Sequence, residues 1–308
     1  MDRILVTGSG GLVGKAIQSI SNSFNYEFFW CTRYDADLTR EEDVRSLYRQ
    51  VKPDYVIHTA AKVGGIGANL ASPADFYYQN ILMNSFMIHY AQIFGVKKLI
   101  AFSSVCSFPD NIPILKEEFQ HTGEPFRANF AYGYAKRMVD IQIQAYRIQH
   151  KTNYCSLVPV NIYGPDDQFN LQNGHVVPCI IHKCFLAKQN NEPLVLWGDG
   201  SSLREFIFSQ DLAKLTMDIL QTELKFDRII VADNIEVSIK DLVNMICELM
   251  DFKGEVVWDT TKPNGQYRRP SDTSLLKDVS PNFQFTPLKD GLKQTIEWFE
   301  KNYPNVRH

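Results

Sequence analysis

Through the first half of the chain, short apolar runs alternate with longer stretches whose apolar residues recur at steps of three and four. This alternation predicts repeated strand and helix units around a parallel sheet. Strands are expected at Ile4 to Thr7, Glu27 to Cys31, Tyr55 to Thr59, Leu99 to Ser103 and Ser156 to Pro159. Between the last two, Met138, Ile141, Ala145 and Ile148 follow helical spacing, which predicts a helix with those residues on one buried face. After about residue 164 the pattern breaks at Asn161-Ile162-Tyr163-Gly164-Pro165-Asp166-Asp167, and a mixed, loop-rich region follows. The expected fold class is α/β, a doubly wound parallel sheet with a smaller, mixed C-terminal lobe. Residues 1–164 would form the sheet domain and 165–308 mainly the second lobe, with about 205–235 returning to the sheet through Ile229-Ile230-Val231.

Composition changes this picture little. The 308 residues are 44% hydrophobic and 22% charged, ordinary values for a folded chain with room for a large core and a second lobe. With 32 basic against 35 acidic residues, no overall field favours nucleic acid or a membrane surface, so an anionic ligand needs a local positive cluster. The N-terminus lacks the apolar stretch of a secretory signal, and no apolar run approaches the roughly 18 residues that span a bilayer. Six scattered cysteines form neither a disulfide framework nor CxxC pairs. The expectations are free thiols, no metal, no nucleic-acid or membrane partner, and a cytoplasmic location.

The first strand runs directly into Gly8-Ser9-Gly10-Gly11-Leu12-Val13-Gly14, with glycines at 8, 11 and 14 before an apparent helix. Glycine at this spacing serves a tight turn, a close approach to pyrophosphate and close helix packing, with the helix N-terminus facing the anion. The sheet domain is therefore expected to be of Rossmann type. Where an NAD-selective site usually places an acidic residue after the second strand, this chain has Thr32-Arg33. Arg33 reads either as the receiver of a 2′-phosphate, favouring NADPH over NADH, or as a solvated surface charge with Asp35 and Asp37 nearby. Small residues at Ala60 and Ala61 would let a flat adenosine or ribose lie against the backbone, with Asn80 as weaker support. Asp37, Leu38, Ser103, Pro159, Asn161, Ile162 and His175 complete the expected cofactor-binding set, together with Tyr132 and Lys136.

The most informative constellation is Ser104, just beyond a strand, with Tyr132 and Lys136 four apart on the predicted helix. That spacing puts both on one helical face. The ammonium can hold a cofactor ribose and lower the phenol pKa, while the phenol donates a proton to a carbonyl and Ser104 hydrogen-bonds the same oxygen. Tyr134 is the nearby alternative, but its fourth residue on is Met138, which offers no charge. With the glycine motif, these residues resemble the extended short-chain dehydrogenase/reductase family.

Within it, Ser104-Val105-Cys106-Ser107-Phe108-Pro109, Ala60-Ala61-Lys62-Val63-Gly64-Gly65, Gly174-His175-Val176-Val177-Pro178, Trp197-Gly198-Asp199-Gly200 and Arg204-Glu205-Phe206 resemble motifs of the GDP-L-fucose synthases. The likeness runs from residue 4 to about 270. It implies 3,5-epimerisation of GDP-4-keto-6-deoxymannose, with NADPH reducing the 4-ketone afterwards, by a homodimer. Cys106 would be the epimerisation base, favoured as thiolate by neighbouring positive charge, and His175 the acid on the opposite face. Lys183 and Arg204 would neutralise the substrate pyrophosphate. Trp197 would stack on the substrate or belong to the core, and Arg269 ends Lys262-Pro263-Asn264-Gly265-Gln266-Tyr267-Arg268-Arg269, a stretch resembling a substrate-covering loop or else a solvated charge pair. The rival readings are another nucleotide-sugar reductase, epimerase or dehydratase, and a non-catalytic NADP sensor. A dehydratase usually places an acidic pair where this chain has Val105-Cys106, and a sensor need not keep Ser104, Tyr132 and Lys136 together.

Overall fold

The structure, a computed structural model, describes residues 1–171, 174–223, 225–262 and 267–307. Eleven strands are described: β1 Arg3–Thr7, β2 Glu27–Cys31, β3 Tyr55–His58, β4 Lys98–Phe102, β5 Tyr154–Pro159, β6 Asn161–Tyr163, β7 Leu194–Trp197, β8 Leu203–Phe208, β9 Arg228–Val231, β10 Glu236–Ser238 and β11 Val256–Asp259. Six form one sheet in the order β2-β1-β3-β4-β5-β9, with parallel pairing throughout. This is the Rossmann-type α/β fold that the alternation predicts.

Strand alternation divides the sheet's residues between two cores. Ile4, Val6, Ile57 and Ile100 pack against the Leu12–Ile20 and Ser209–Gln221 helices on one face, while Leu5, Val56, Leu99 and Ala101 pack against Glu41–Val51, Pro73–Ile93 and Phe130–His150 on the other. Leu275, Leu276, Val279, Phe283 and Phe285 also join the first core, a late return of the chain that sequence pattern alone did not indicate. Buried Lys98 donates to the carbonyls of Ile219, Leu220 and Thr222, so a cation in β4 satisfies the end of the Ser209–Gln221 helix, where the dipole is negative.

The smaller lobe has its own core, built from Phe169, Ile181, Leu194, Phe206, Leu242, Leu292 and Phe299. Its strands form a three-stranded β10-β8-β6 sheet and a β11-β7 pair. No helix among the described residues is long and apolar enough to cross a membrane.

The helix read from Met138, Ile141, Ala145 and Ile148 exists, as Phe130–His150, but that stripe is not the face turned to the sheet. Ile141 is 44% exposed and Ile148 72% exposed, whereas Ala135, Lys136, Val139, Asp140 and Ile143 are buried. The sheet side of this helix carries a lysine and an aspartate, whose burial is compensated by hydrogen-bond partners: Lys136 meets the Phe102 carbonyl, and Asp140 meets Arg228 and His121 from elsewhere in the chain and Gln144 one turn on.

Candidate active site

The winding direction reverses between β1 and β3, and the loops leaving the carboxyl ends of β1, β3 and β4 meet there. Gly8 has φ +69, and a Cβ on it would lie 2.6 Å from the Ala60 nitrogen. A Cβ on Gly14 would lie 2.5 Å from both the Gly8 carbonyl oxygen and the Ser9 Cα, so the helix packs on the loop at glycine distance. Gly14→Ala is therefore expected to destabilise the fold by about 1–3 kcal/mol, read as a lowered urea midpoint. Gly11 caps the Leu12–Ile20 helix, which has neither a capping side chain nor an acidic residue in its first turn. Buried Ser9 Oγ has no hydrogen-bond partner among the described residues. Open helix N–H groups beside a glycine cradle fit a dinucleotide pyrophosphate.

Past β2, Arg33 is exposed and its guanidinium lies over the Tyr34 ring. The neighbouring acids are engaged locally. Asp35 accepts from the Thr32 amide at 2.8 Å and hydroxyl at 2.7 Å, and Asp37 from the Thr39 amide and hydroxyl. These bonds hold both carboxyls below their ordinary pKa. Asp37 thus also holds its own turn, and the Leu38 side chain packs in the core.

Asn80 is likewise engaged within the protein. It accepts from the Lys62 amide and donates to the Lys62 and Phe76 carbonyls, pinning the loop that carries Ala60 and Ala61. His58 bridges Thr7 Oγ1 at 2.7 Å and Asn84 Oδ1 at 3.0 Å, and burial, with Lys136 nearby, pushes its pKa down to about 3. It stays neutral and ties β1 and β3 to the Pro73–Ile93 helix. Ser103 Oγ donates to the Lys136 carbonyl at 3.1 Å, and Pro159 is buried in β5. Asn161 Nδ2 donates to the Glu205 carbonyl at 2.9 Å, and Ile162 packs against the first core.

Ser104, Tyr132 and Lys136 do come together. Burial raises the Tyr132 pKa, with Cys106 adding to the rise, and a hydrogen bond with Ser104 opposes it. The ring packs edge-on against Phe76 at 6.3 Å. Lys136 Nζ donates to the Phe102 carbonyl at 2.7 Å and lies 6.0 Å from the Tyr132 ring centre, and burial pushes its pKa down to about 8. This corrects the expected electrostatic lowering of the phenol. Burial dominates in this site, and Tyr132 is held as a neutral phenol, the form that can donate a proton.

Cys106 lies in the turn Val105–Ser107, where its amide donates to Ser104 Oγ at 3.2 Å. Asn129 Nδ2 donates to Cys106 Sγ at 3.2 Å, a contact not anticipated from sequence although Asn129 stands one helical turn before Tyr132 and caps that helix. Arg269 donates to the Pro109 carbonyl at 2.9 Å. Burial lowers the pKa of its guanidinium, which a negative charge on nearby Cys106 or Asp110 would oppose. Asn129 and Arg127 line a cavity of 380 Å³, and Arg127 and Pro109 line another of 480 Å³. Arg204 is lowered by burial and by its like-charged neighbour Arg269. Two close guanidiniums favour an anion between or beside them.

His175 caps the Val176–Asn190 helix with 47% of its side chain exposed, and its Nδ1 is 3.9 Å from buried Asp167. Burial works against the charged ring, but the Asp167 carboxylate outweighs both that and the opposing Arg307, so the pKa rises. Lys183 Nζ reaches the Val195 carbonyl at 3.3 Å and lies 6.0 Å from the Trp197 ring centre, with Lys262 at 5.9 Å. Trp197 is 64% exposed and so not a core residue. Of the stretch read as a covering loop, residues 263–266 lie outside the described residues, and Arg268 pairs with Glu236.

A profile of the NAD dependent epimerase/dehydratase family matches residues 4–232. The chain is 38% identical to the GDP-L-fucose synthase of Dictyostelium discoideum, over 99% of this chain and 97% of that one. It is 39% identical to GDP-L-fucose synthase 1 of Arabidopsis thaliana, over 98% and 94%. Among solved structures, a GDP-L-fucose synthetase from Naegleria fowleri bound to NADP superposes with a TM-score of 0.91 at 36% identity, covering 100% of this chain and 95% of that one. With its glycine loop, its Ser104-Tyr132-Lys136 cluster and relatives matched along nearly their full length, the chain belongs to the NAD dependent epimerase/dehydratase family, in the branch of the GDP-L-fucose synthases.

Proposed function

We propose that the protein converts GDP-4-keto-6-deoxymannose to GDP-L-fucose by 3,5-epimerisation followed by NADPH-dependent reduction of the 4-ketone. The observation that carries this reading is that Ser104, Tyr132 and Lys136 share one site with a cysteine whose sulfur accepts a hydrogen bond from Asn129 Nδ2 at 3.2 Å. A reductase needs the first part. Only an enzyme that also moves carbon-bound protons needs the second.

In this reading Cys106 removes the protons at C3 and C5, which the flanking ketone acidifies, and a donor and an opposite charge meet the sulfur when it is negative. His175, whose charged form the Asp167 carboxylate favours, returns protons from the opposite face. Tyr132 then protonates the C4 oxygen while Ser104 hydrogen-bonds it. Bound NADPH supplies the hydride for that carbon. Lys136 orients the nicotinamide ribose, Gly8 to Gly14 with Ser9 hold the pyrophosphate, and Arg33 holds the 2′-phosphate. Lys183 and Arg204 receive the substrate diphosphate, Trp197 extends its binding surface, and Arg269 lies beside the sugar.

A return of the chain to the sheet domain within 205–235 is supported by the Ser209–Gln221 helix in the first core and by β9 pairing with β5, while β6 and β8 belong to the small-lobe sheet, so the division falls a few residues before 164 and the return after β8. Exposed apolar residues on two helices that pack together, Ile141 and Ile148 on one and Tyr78 and Ile93 on the other, suit a homodimer interface. A cytoplasmic location agrees with six free cysteines.

Purified protein given GDP-4-keto-6-deoxymannose and NADPH should yield GDP-L-fucose, identified by NMR. An unepimerised 4-reduced sugar instead would establish the rival reductase. Arg33→Ala should narrow the preference for NADPH over NADH by about tenfold in kcat/KM, by removing one charge-assisted phosphate contact. An unchanged preference would return Arg33 to the role of surface charge.

A further inference from the structure

The C-terminal arm reaches the cofactor loop. Beyond the Leu288–Asn302 helix, Val306 is buried in the small-lobe core. The Arg307 backbone bridges Gln168, and its carbonyl accepts from the Phe169 amide at 2.8 Å. From this fixed backbone the exposed side chain points across to the other domain. Its Nη1 is 3.4 Å from the Asp166 carbonyl and would lie 3.8 Å from a Cβ on Gly11.

Gly11 caps the Leu12–Ile20 helix, so a guanidinium stands beside the positive end of a helix dipole whose first turn carries no acid. Lys15 and Arg307 both act on the Asp166 carboxyl, leaving two cations against one acid there. Buried Ser9 Oγ, in the same loop, lacks a hydrogen-bond partner among the described residues. Like-signed groups crowded together with an unused hydroxyl make a place for a multivalent anion. Phosphate oxygens would take the helix N–H groups on one side and a guanidinium on the other.

We propose that Arg307 is a second contact for the dinucleotide pyrophosphate, so that cofactor binding fastens the C-terminal arm and the small lobe to the glycine loop. The proposal rests on the dinucleotide reading of that loop and adds a residue to it from the far end of the chain. Arg33 and Arg307 then serve different phosphates, the first the 2′-phosphate and the second the pyrophosphate.

Two probes separate these phosphates: NADP+, which carries both, and adenosine 2′-monophosphate, which carries only the first. Binding is measured by calorimetric titration. Arg307→Ala should weaken NADP+ by about tenfold and leave adenosine 2′-monophosphate within about twofold, Arg307→Lys should recover part of the loss, and Arg33→Ala should weaken both ligands. Equal loss of both ligands in Arg307→Ala would mean a general disturbance of the fold and overturn the proposal. So would NADP+ affinity equal to wild type, which would leave the dinucleotide reading intact. A wild-type protein that binds neither probe would overturn that reading and this proposal together.

Discussion

Tyr132→Phe should keep the fold and bind NADPH as the wild type does, yet lose about a hundredfold or more of ketone reduction, the scale of a positioned general acid. The ring stays in place because it is half-buried and packs edge-on against Phe76 at 6.3 Å. What disappears is the hydroxyl that burial keeps protonated and that Ser104 holds. The loss should fall on kcat rather than KM, since the proton is needed only as negative charge builds on the oxygen. Single-turnover NADPH oxidation beside a binding titration separates the two. Reduction near the wild-type rate would remove Tyr132 from its role.

The second large effect is expected at Cys106. Cys106→Ser keeps an atom of similar size that can still accept from Asn129, but an alcohol is far harder to ionise than a thiol, so proton removal from carbon should fall below detection. The reductive cluster would remain, because Tyr132, Ser104 and Lys136 are held by burial, by their own hydrogen bond and by the Phe102 carbonyl rather than by the sulfur. The two activities should therefore separate, with residual reduction giving an unepimerised sugar. If the variant still delivers fully epimerised product at the wild-type rate, the base is another group.

Much of this site could be read from the chain because its determinants are local. Each strand of the central sheet falls within about two residues of its apolar run. The glycine loop shows in the sequence because Gly8 and Gly14 meet backbone at distances no side chain tolerates. The Tyr132 to Lys136 spacing shows because four residues make one helical turn. What escaped depends on contacts between distant segments. Apolar spacing marks a stripe on the Phe130–His150 helix without saying what covers it, and the covered side proved to be the one with Lys136 and Asp140. Their partners, Phe102 and Arg228, lie 34 and 88 residues away. The direction of the Tyr132 pKa shift escaped for the same reason, since it follows from burial and not from spacing. In the sequence Asp167 is only part of a break in the pattern, and the fold alone sets its carboxylate beside His175.

The central claim is that one site both inverts carbons and reduces a ketone. Its most direct test is the wild-type reaction run in deuterated water with GDP-4-keto-6-deoxymannose and NADPH, with the product read by NMR and mass spectrometry. The account predicts solvent deuterium at C3 and at C5 of the product, and none at either position when Cys106→Ser replaces the wild type. A wild-type product reduced at C4 with only protium at C3 and C5, and a Cys106→Ser protein of unchanged rate, would contradict it.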